Sequence, residues 1–250
     1  MAQILKSQAI ILSSIRWKES SKILTLFSRE WGLIKVIARG VLRKNNPVSG
    51  IVETMNLVDI FISSKQSRSL QIMTDIDLVD SFIQTRADLT KLSFSLGVLE
   101  LIRQTIGEHH SDTIFFDFTI YILQSIKDAK NEEFVFVYFL LKLISFLGFK
   151  PNFSECSVCG KNPGSGHFFF SSEKGTSYCS ECAEGTSLFQ KLSEEEMIFL
   201  FNLQKFPHRR INEFKYKLES RFNFIQFLLD YLSFHQGHNI RLQSLNLVKK

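Results

Sequence analysis

The residues best equipped for chemistry are the cysteines. All four in the 250-residue chain lie in one window, Cys156, Cys159, Cys179 and Cys182, as two C-x-x-C pairs with 19 residues between them. A thiolate is a soft, charged donor, and Zn2+ takes four of them tetrahedrally at about 2.3 Å. One C-x-x-C turn lets two sulfurs converge on an ion and a second turn completes the shell, which is the spacing of a four-cysteine zinc ribbon. Gly160 follows the first pair, where a tight knuckle favours a residue free to adopt positive φ. Phe168 to Phe170, between the pairs, suit a short strand covering the site. Two other uses of the thiols fit less well. Disulfides are rare in a cytosolic chain, and a thioredoxin-like centre needs one such pair in a βαβ setting. Four protein ligands leave no position open for water, so one structural ion is expected, with His167 surplus to the shell.

Charge placement is the second signal. The whole chain carries a formal +5, which permits an anionic partner without requiring one. Between Arg16 and Lys44 stand eight basic residues, Arg16, Lys18, Lys22, Arg29, Lys35, Arg39, Arg43 and Lys44, against Glu19 and Glu30. Trp17 and Trp31, the two tryptophans of the chain, fall in the same stretch. Cationic side chains neutralise phosphates and release counterions, and aromatic faces stack exposed bases. On charge alone a single-strand track and a solvated barrel surface over two core tryptophans are both open. A second basic set, Lys205, His208, Arg209, Arg210, Lys215, Lys217 and Arg221, could rim a site for an acidic peptide or line a solvated helix face.

Other chemistry is weakly supported. Asp75, Asp77 and Asp80 raise a metal-dependent nucleic-acid hydrolase as an alternative, but alternation puts Asp75 and Asp77 on the outer face of a strand, where solvated acids are ordinary. His109 and His110 sit in a polar loop, and His235 and His238 flank Gly237 at a helix end, where the dipole favours histidine. The chain has no P-loop, no G-x-G-x-x-G, no G-x-S-x-G and no identifiable nucleophile–base pair. A binding protein rather than an enzyme is therefore expected, and a protein-only adaptor that never touches DNA is a further alternative.

The elements that must position these residues change character along the chain. Through about residue 80, "AIILSSIRW", "KILTLFS", "GLIKVIARG", "NLVDIFISS" and "SLQIMTDIDLVDS" read as strands. In the third, Ile34, Val36 and Ala38 face one way and Lys35, Ile37 and Arg39 the other; in the fifth, Leu70, Ile72, Ile76 and Leu78 share a face opposite Gln71, Asp75 and Asp77. Five short strands suit a small Greek-key barrel, of which the OB-fold is the best known. From about residue 85 the spacing becomes helical, with Leu89, Leu92, Leu96, Leu99, Ile102 and Ile106 on one face. Further helices are expected over 112–130 and 132–147, and a long one over about 211–236, with Ser193 and Glu196 as a capping box for another. The expected fold is α+β and multidomain: an N-terminal OB-fold barrel over 1–80, then an all-α domain over 81–250 carrying an inserted zinc ribbon at about 153–186.

Composition limits the class. A hydrophobic content of 44% with 25 phenylalanines allows a large core, and no stretch has the composition of a disordered tail. The N-terminus lacks the basic start, apolar run and cleavage site of a signal peptide. The most apolar stretch, Phe134 to Leu147, contains Lys142 and is too short to span a bilayer. A soluble, cytoplasmic protein without membrane contact is expected.

Three stretches in order resemble the RecO family of bacterial recombination mediators of the RecF pathway. They are "AIILSSIRWKESSKILTLFSREWGLIKVIARGVLRKN", "FLGFKPNFSECSVCGK" and "FLLDYLSFHQGHNIRLQSLNL". The first resembles the family's opening strands with the Ala-Arg-Gly turn, the second its helix end leading into the first cysteine pair, and the third its closing helix and tail. The resemblance implies an OB-fold, a helical domain and a zinc-binding loop. It also implies binding of single- and double-stranded DNA and annealing of complementary strands. Partners implied are RecR, the acidic C-terminal tail of single-strand binding protein, held by the helical domain, and, indirectly, RecA. Association with the nucleoid follows from DNA binding. On this reading Arg16, Lys18, Lys22, Lys35, Arg39, Arg43 and Lys44 are the DNA-binding candidates, and Lys205, Arg209, Arg210, Lys215, Lys217 and Arg221 the rim of the peptide site.

Overall fold

The computed structural model describes residues 3–64, 70–108, 110–163, 166–183 and 190–247. His109 and residues 184–186 of the expected ribbon lie outside that set. The chain divides into two compact units, Met1–Lys127 with Leu242–Lys250, and Asp128–Arg241.

The first unit opens with the five expected strands: β1 (Gln3–Trp17), β2 (Ser21–Ser28), β3 (Gly32–Ala38), β4 (Leu57–Ser64) and β5 (Gln71–Asp80). They close into a barrel in the order β1-β2-β3-β5-β4. Every pairing is antiparallel except β3 with β5. This five-strand closed sheet is OB-like, and the fold class is α+β as expected. A register shift between Ile11 and Ser13 lets one long strand serve two neighbours: β1 pairs with β4 through its first half and with β2 through its second. Inward residues fill the interior, among them Ala9, Ile11, Leu24, Leu26, Val36 and Ile60. In β3 the expected alternation holds, with Ile34, Val36 and Ala38 buried and Lys35 and Arg39 exposed. In β5 it does not. Gln71 is buried and Leu78 is 46% exposed. For Gln71 the cause is a bulge: Phe61 faces Asp75 while its neighbour Ile62 faces Met73, which leaves Thr74 unpaired and reverses the phase before it.

Helices α1 (Ile83–Arg86), α2 (Leu89–Thr105) and α3 (Thr113–Asp128) follow. Asp88 caps α2 by accepting the amides of Thr90 and Lys91. Phe27 of β2 packs on Phe115 and Phe116 of α3, at 6.1 and 5.5 Å between ring centres. Nearby, Arg29 makes a two-bond fork to Asp117 at 2.8 and 2.9 Å. The tail returns to this unit: the Glu100 carboxylate of α2 accepts the amides of Gln243 and Ser244 at 2.8 and 3.2 Å, ahead of a 3-10 turn at Ser244–Leu247.

The second unit begins with α4 (Glu132–Phe146), buried on nearly every side as its unbroken apolar run requires. Next come β6 (Asn152–Cys156), β7 (Phe168–Ser171), β8 (Thr176–Cys179) and β9 (Gln190–Leu192), one sheet in the order β6-β8-β7-β9. Helix α5 (Glu194–Lys205) starts at the expected capping box of Ser193 and Glu196. Its C-terminal carbonyls are satisfied from α4: Lys142 Nζ donates to Gln204 O at 2.8 Å and Tyr138 Oη to Phe206 O at 2.9 Å.

The long helix expected over 211–236 is not one helix. A 3-10 turn at His208–Glu213 gives way to an irregular stretch over 214–223, and α6 covers only Phe224–Gln236. Phe214, Leu218 and Phe222 fit a helical step, but they equally fit a step of two with Tyr216 and Ser220 between them. Asn223 caps α6 by accepting the Gln226 amide, which sets the true start, and Gly237 ends it at φ +71 as expected.

Candidate nucleic-acid interface and metal centre

The barrel positions its cations unevenly. Three of the eight are engaged by carboxylates far away in sequence. Lys22 is only 9% exposed and its Nζ lies 2.6 Å from Glu53, so this DNA-binding candidate braces the loop above the barrel. Lys35 lies 2.6 Å from Glu108 and Arg29 is forked to Asp117. The Asp117 hydrogen bond and charge raise the Arg29 pKa, and the same bond lowers that of Asp117.

The other five, Arg16, Lys18, Arg39, Arg43 and Lys44, are exposed, and none has a carboxylate partner among the described residues. Backbone geometry brings them to one end of the barrel. Arg16 pairs with Lys22, and Lys22 with Ala38, so the end of β1 lies two strands from the end of β3 and from Arg39. The β1–β2 turn holds Lys18, at φ +55. The loop after β3 is fastened to that turn by the Leu42 amide, which donates to Ser20 O at 2.9 Å. Arg43 and Lys44 follow directly, and the Arg43 side chain folds over Gly40, which sits at φ +70. Trp17 is 44% exposed beside this group, whereas Trp31 packs against the barrel core. Strand pairing alone gave no hint of the Leu42–Ser20 bond or of the distant acids. Asp75 and Asp77 are exposed, as expected, while Asp80 accepts the Phe82 amide at 2.7 Å.

In the second unit the sheet brings the four cysteines together. Cys156 ends β6, Cys179 ends β8, and Cys159 and Cys182 follow in the adjoining turns. Each turn is a knuckle closed by its own backbone: the Gly160 amide donates to Cys156 O at 2.9 Å, and the Cys182 amide to Cys179 O at 3.1 Å. Gly160 has φ +72, the conformation expected of it. The four Sγ atoms all lie within 4.8 Å of one another, and Cys159 and Cys179 are 3.7 Å apart. Tetrahedral bonds of about 2.3 Å place sulfurs about 3.8 Å apart, so the set fits one metal ion. Among the described residues this is the one cluster of three or more His, Cys, Asp or Glu side chains with converging donor atoms. His167 is exposed and takes no part.

Ionisation within the cluster is uneven. Burial raises the Cys156 thiol, but backbone N–H groups of Cys159, Cys179 and Val158 outweigh it and bring its pKa down to about 6. Cys182 is pushed up to about 12, first by its hydrogen bond to Cys179, then by burial and the other two sulfurs. Four thiolates repel one another, and a dication relieves that repulsion.

The second basic set is engaged unevenly. Lys205 lies over the Phe201 ring at 3.9 Å, Arg210 pairs with Glu213 at 2.6 Å, and Lys217 with Glu219 at 3.0 Å. Arg209, Lys215 and Arg221 are exposed.

An OB-like closed barrel, joined in one chain to helices and a four-cysteine cluster, defines an α+β protein with a candidate metal centre. The N-terminal family model of recombination protein O matches residues 1–82 and the C-terminal one residues 86–244. This chain belongs to the RecO family. It is 29% identical over 210 residues to the DNA repair protein RecO of Caldanaerobacter subterraneus subsp. tengcongensis, covering 84% of this chain and 83% of that relative. With that of Prosthecochloris aestuarii it shares 29% over 159 residues, 63% of this chain and 60% of the relative. With that of Chloroherpeton thalassium it shares 32% over 160 residues, 64% and 62%. The chain thus spans under two thirds of the length of several curated relatives it matches. No helix among the described residues is long and apolar enough to cross a membrane.

Proposed function

We propose that this chain is a recombination mediator that binds single- and double-stranded DNA and anneals complementary strands without a catalytic step. Support comes above all from the five cations, Arg16, Lys18, Arg39, Arg43 and Lys44, that gather at one barrel end with no carboxylate pairing with them among the described residues. Two strands repel through their phosphates; a cationic surface that holds both lowers the repulsion and raises their local concentration. Base pairing supplies the sequence readout, so the protein need supply none. Lys22 and Lys35, held by Glu53 and Glu108, contribute to the field and to the shape of the face. Trp17 offers a flat apolar surface for an unstacked base.

Cys156, Cys159, Cys179 and Cys182 would hold one Zn2+, which supplies structural cross-linking with its coordination shell full. The helical domain would receive the acidic C-terminal tail of single-strand binding protein at Lys205, Arg209, Arg210, Lys215, Lys217 and Arg221, and with RecR would assist RecA onto coated strands. The deciding experiment is annealing of complementary oligonucleotides coated with single-strand binding protein, with and without this chain. Faster annealing supports the mediator. Cleavage of labelled DNA with Mg2+ or Mn2+ would point to a hydrolase instead, and no gel shift at all to a protein-only adaptor.

A further inference from the structure

Between the 3-10 turn and α6, residues 214–223 run without turn, bend or ladder partner among the described residues. Their side chains alternate strictly. Phe214, Tyr216, Leu218, Ser220 and Phe222 are half-buried; Lys215, Lys217, Glu219, Arg221 and Asn223 are exposed. This is the period of a β-strand. The inner face is fixed by ring packing: Phe214 on Phe206 at 5.1 Å, Tyr216 on Phe199 at 5.3 Å, Phe222 on Phe227 at 5.6 Å.

Both ends are anchored. The Phe214 amide donates to Ile211 O at 3.0 Å. At the other end the Glu195 carboxylate, in the first turn of α5, accepts the amides of Glu219 and Ser220 at 2.7 and 3.1 Å, and the Ser220 hydroxyl donates to Glu196. Between the anchors, the amides of Lys215, Tyr216, Lys217 and Leu218 donate to no backbone or side-chain group among the described residues, and their carbonyls accept from none. A stretch with the alternation of a strand, anchored at both ends and with its ladder groups unpartnered, offers an open edge.

We propose that this edge, residues 215–218 with Arg221, receives an extended acidic segment of a partner protein by strand addition. It deepens the peptide half of the function proposed above, on which it rests, by assigning recognition to a ladder of main-chain bonds. The outward side chains choose the occupant. Among the outward side chains, Lys215, Lys217 and Arg221 are basic and Glu219, which pairs with Lys217, is acidic, while the Glu195 carboxylate is taken up by the anchoring amides of Glu219 and Ser220. A second copy of the same edge would bring the same excess of positive charge, with Lys215 opposite Arg221 in an antiparallel pairing centred on Leu218. Basic residues on an edge thus reject self-pairing and admit an acidic strand. Because the edge is anchored at both ends, little ordering cost falls on this side of the complex.

The probe is a fluorescein-labelled peptide of about eight residues with aspartate and valine alternating, so that acids meet Lys215 and Lys217 while valines lie over the apolar side. Two analogues carry N-methyl groups on one or the other alternate set of amides. In strand addition one set faces the edge and the other faces away. Expected by fluorescence anisotropy is a loss of at least about tenfold in affinity for one analogue and little change for the other. Amides of Lys215–Leu218 should also gain hydrogen-exchange protection on binding. Equal binding of all three peptides overturns strand addition while leaving a side-chain peptide site standing. No binding of the alternating peptide, where a peptide ending in acidic and aromatic residues does bind, overturns it too. If neither peptide binds, the peptide half of the proposed function falls with it. Self-association of the free protein through this edge, seen by light scattering and abolished in Lys217→Pro, also overturns the acidic occupant.

Discussion

If the proposed function holds, individual side chains at the barrel end should make separable contributions to DNA binding. Trp17 is exposed and Trp31 is packed on the core, and the chain has no other tryptophan. Titration with an oligonucleotide is therefore expected to quench intrinsic fluorescence in the native chain and in Trp31→Phe, but not in Trp17→Phe; equal quenching in both variants would remove the stacking role of Trp17. In the thiolate cluster, Cys179 is buried at the end of β8. Cys179→Ser deletes one of four donors and is expected to lower bound zinc from one equivalent to about a tenth or less, read by elemental analysis of protein purified with metal. The cluster was legible in the sequence because spacing alone announces it. The neutralisation of Lys22, Lys35 and Arg29 was not, since Glu53, Glu108 and Asp117 lie 31, 73 and 88 positions away.

Elements report on local chemistry more faithfully. The capping box at Ser193 satisfies amides at the start of α5, so Ser193→Ala is expected to cost about 1 kcal/mol of stability in denaturant melts. The Arg29–Asp117 fork joins β2 to α3 and has a pH signature. Asp117 has a lowered pKa in the folded chain, so its contribution is full above the ordinary carboxylate range and is lost as pH falls through the folded value. Asp117→Asn should therefore narrow the stability difference between pH 6 and about pH 3, and added salt should shrink the effect, since both groups are largely exposed. Strand alternation revealed β3 correctly and misassigned β5, because a bulge is one residue of backbone that no side-chain pattern betrays. The stretch over 214–223 was read as helix for a related reason. Apolar residues four apart satisfy both periods, and only the intervening Tyr216 and Ser220 distinguish them.

For the molecule as a whole, affinity for DNA is expected to fall steeply with salt. Each phosphate contact on a single strand contributes about 0.7 to the slope of log K against log salt. Replacing Arg39, Arg43 and Lys44 together by alanine should flatten that slope by about 2 and weaken binding to any sequence about equally. An unchanged slope would place the DNA elsewhere. The fold class was readable from the switch in hydrophobic period near residue 80, because the barrel strands bury faces of period two and the helices that follow bury faces of helical period. The placing of Arg43 and Lys44 beside the other cations was not readable, since it depends on a backbone bond, Leu42 to Ser20, between two loops.

The return of the tail to α2 has a consequence for biogenesis. Gln243 and Ser244 complete the unit that the first 127 residues begin, so the second unit is spliced into the first rather than appended to it. A ribosome releases that closing stretch only after the whole interposed segment. The barrel-bearing unit must wait, with Glu100 unsatisfied by its backbone partners, until that stretch has been made.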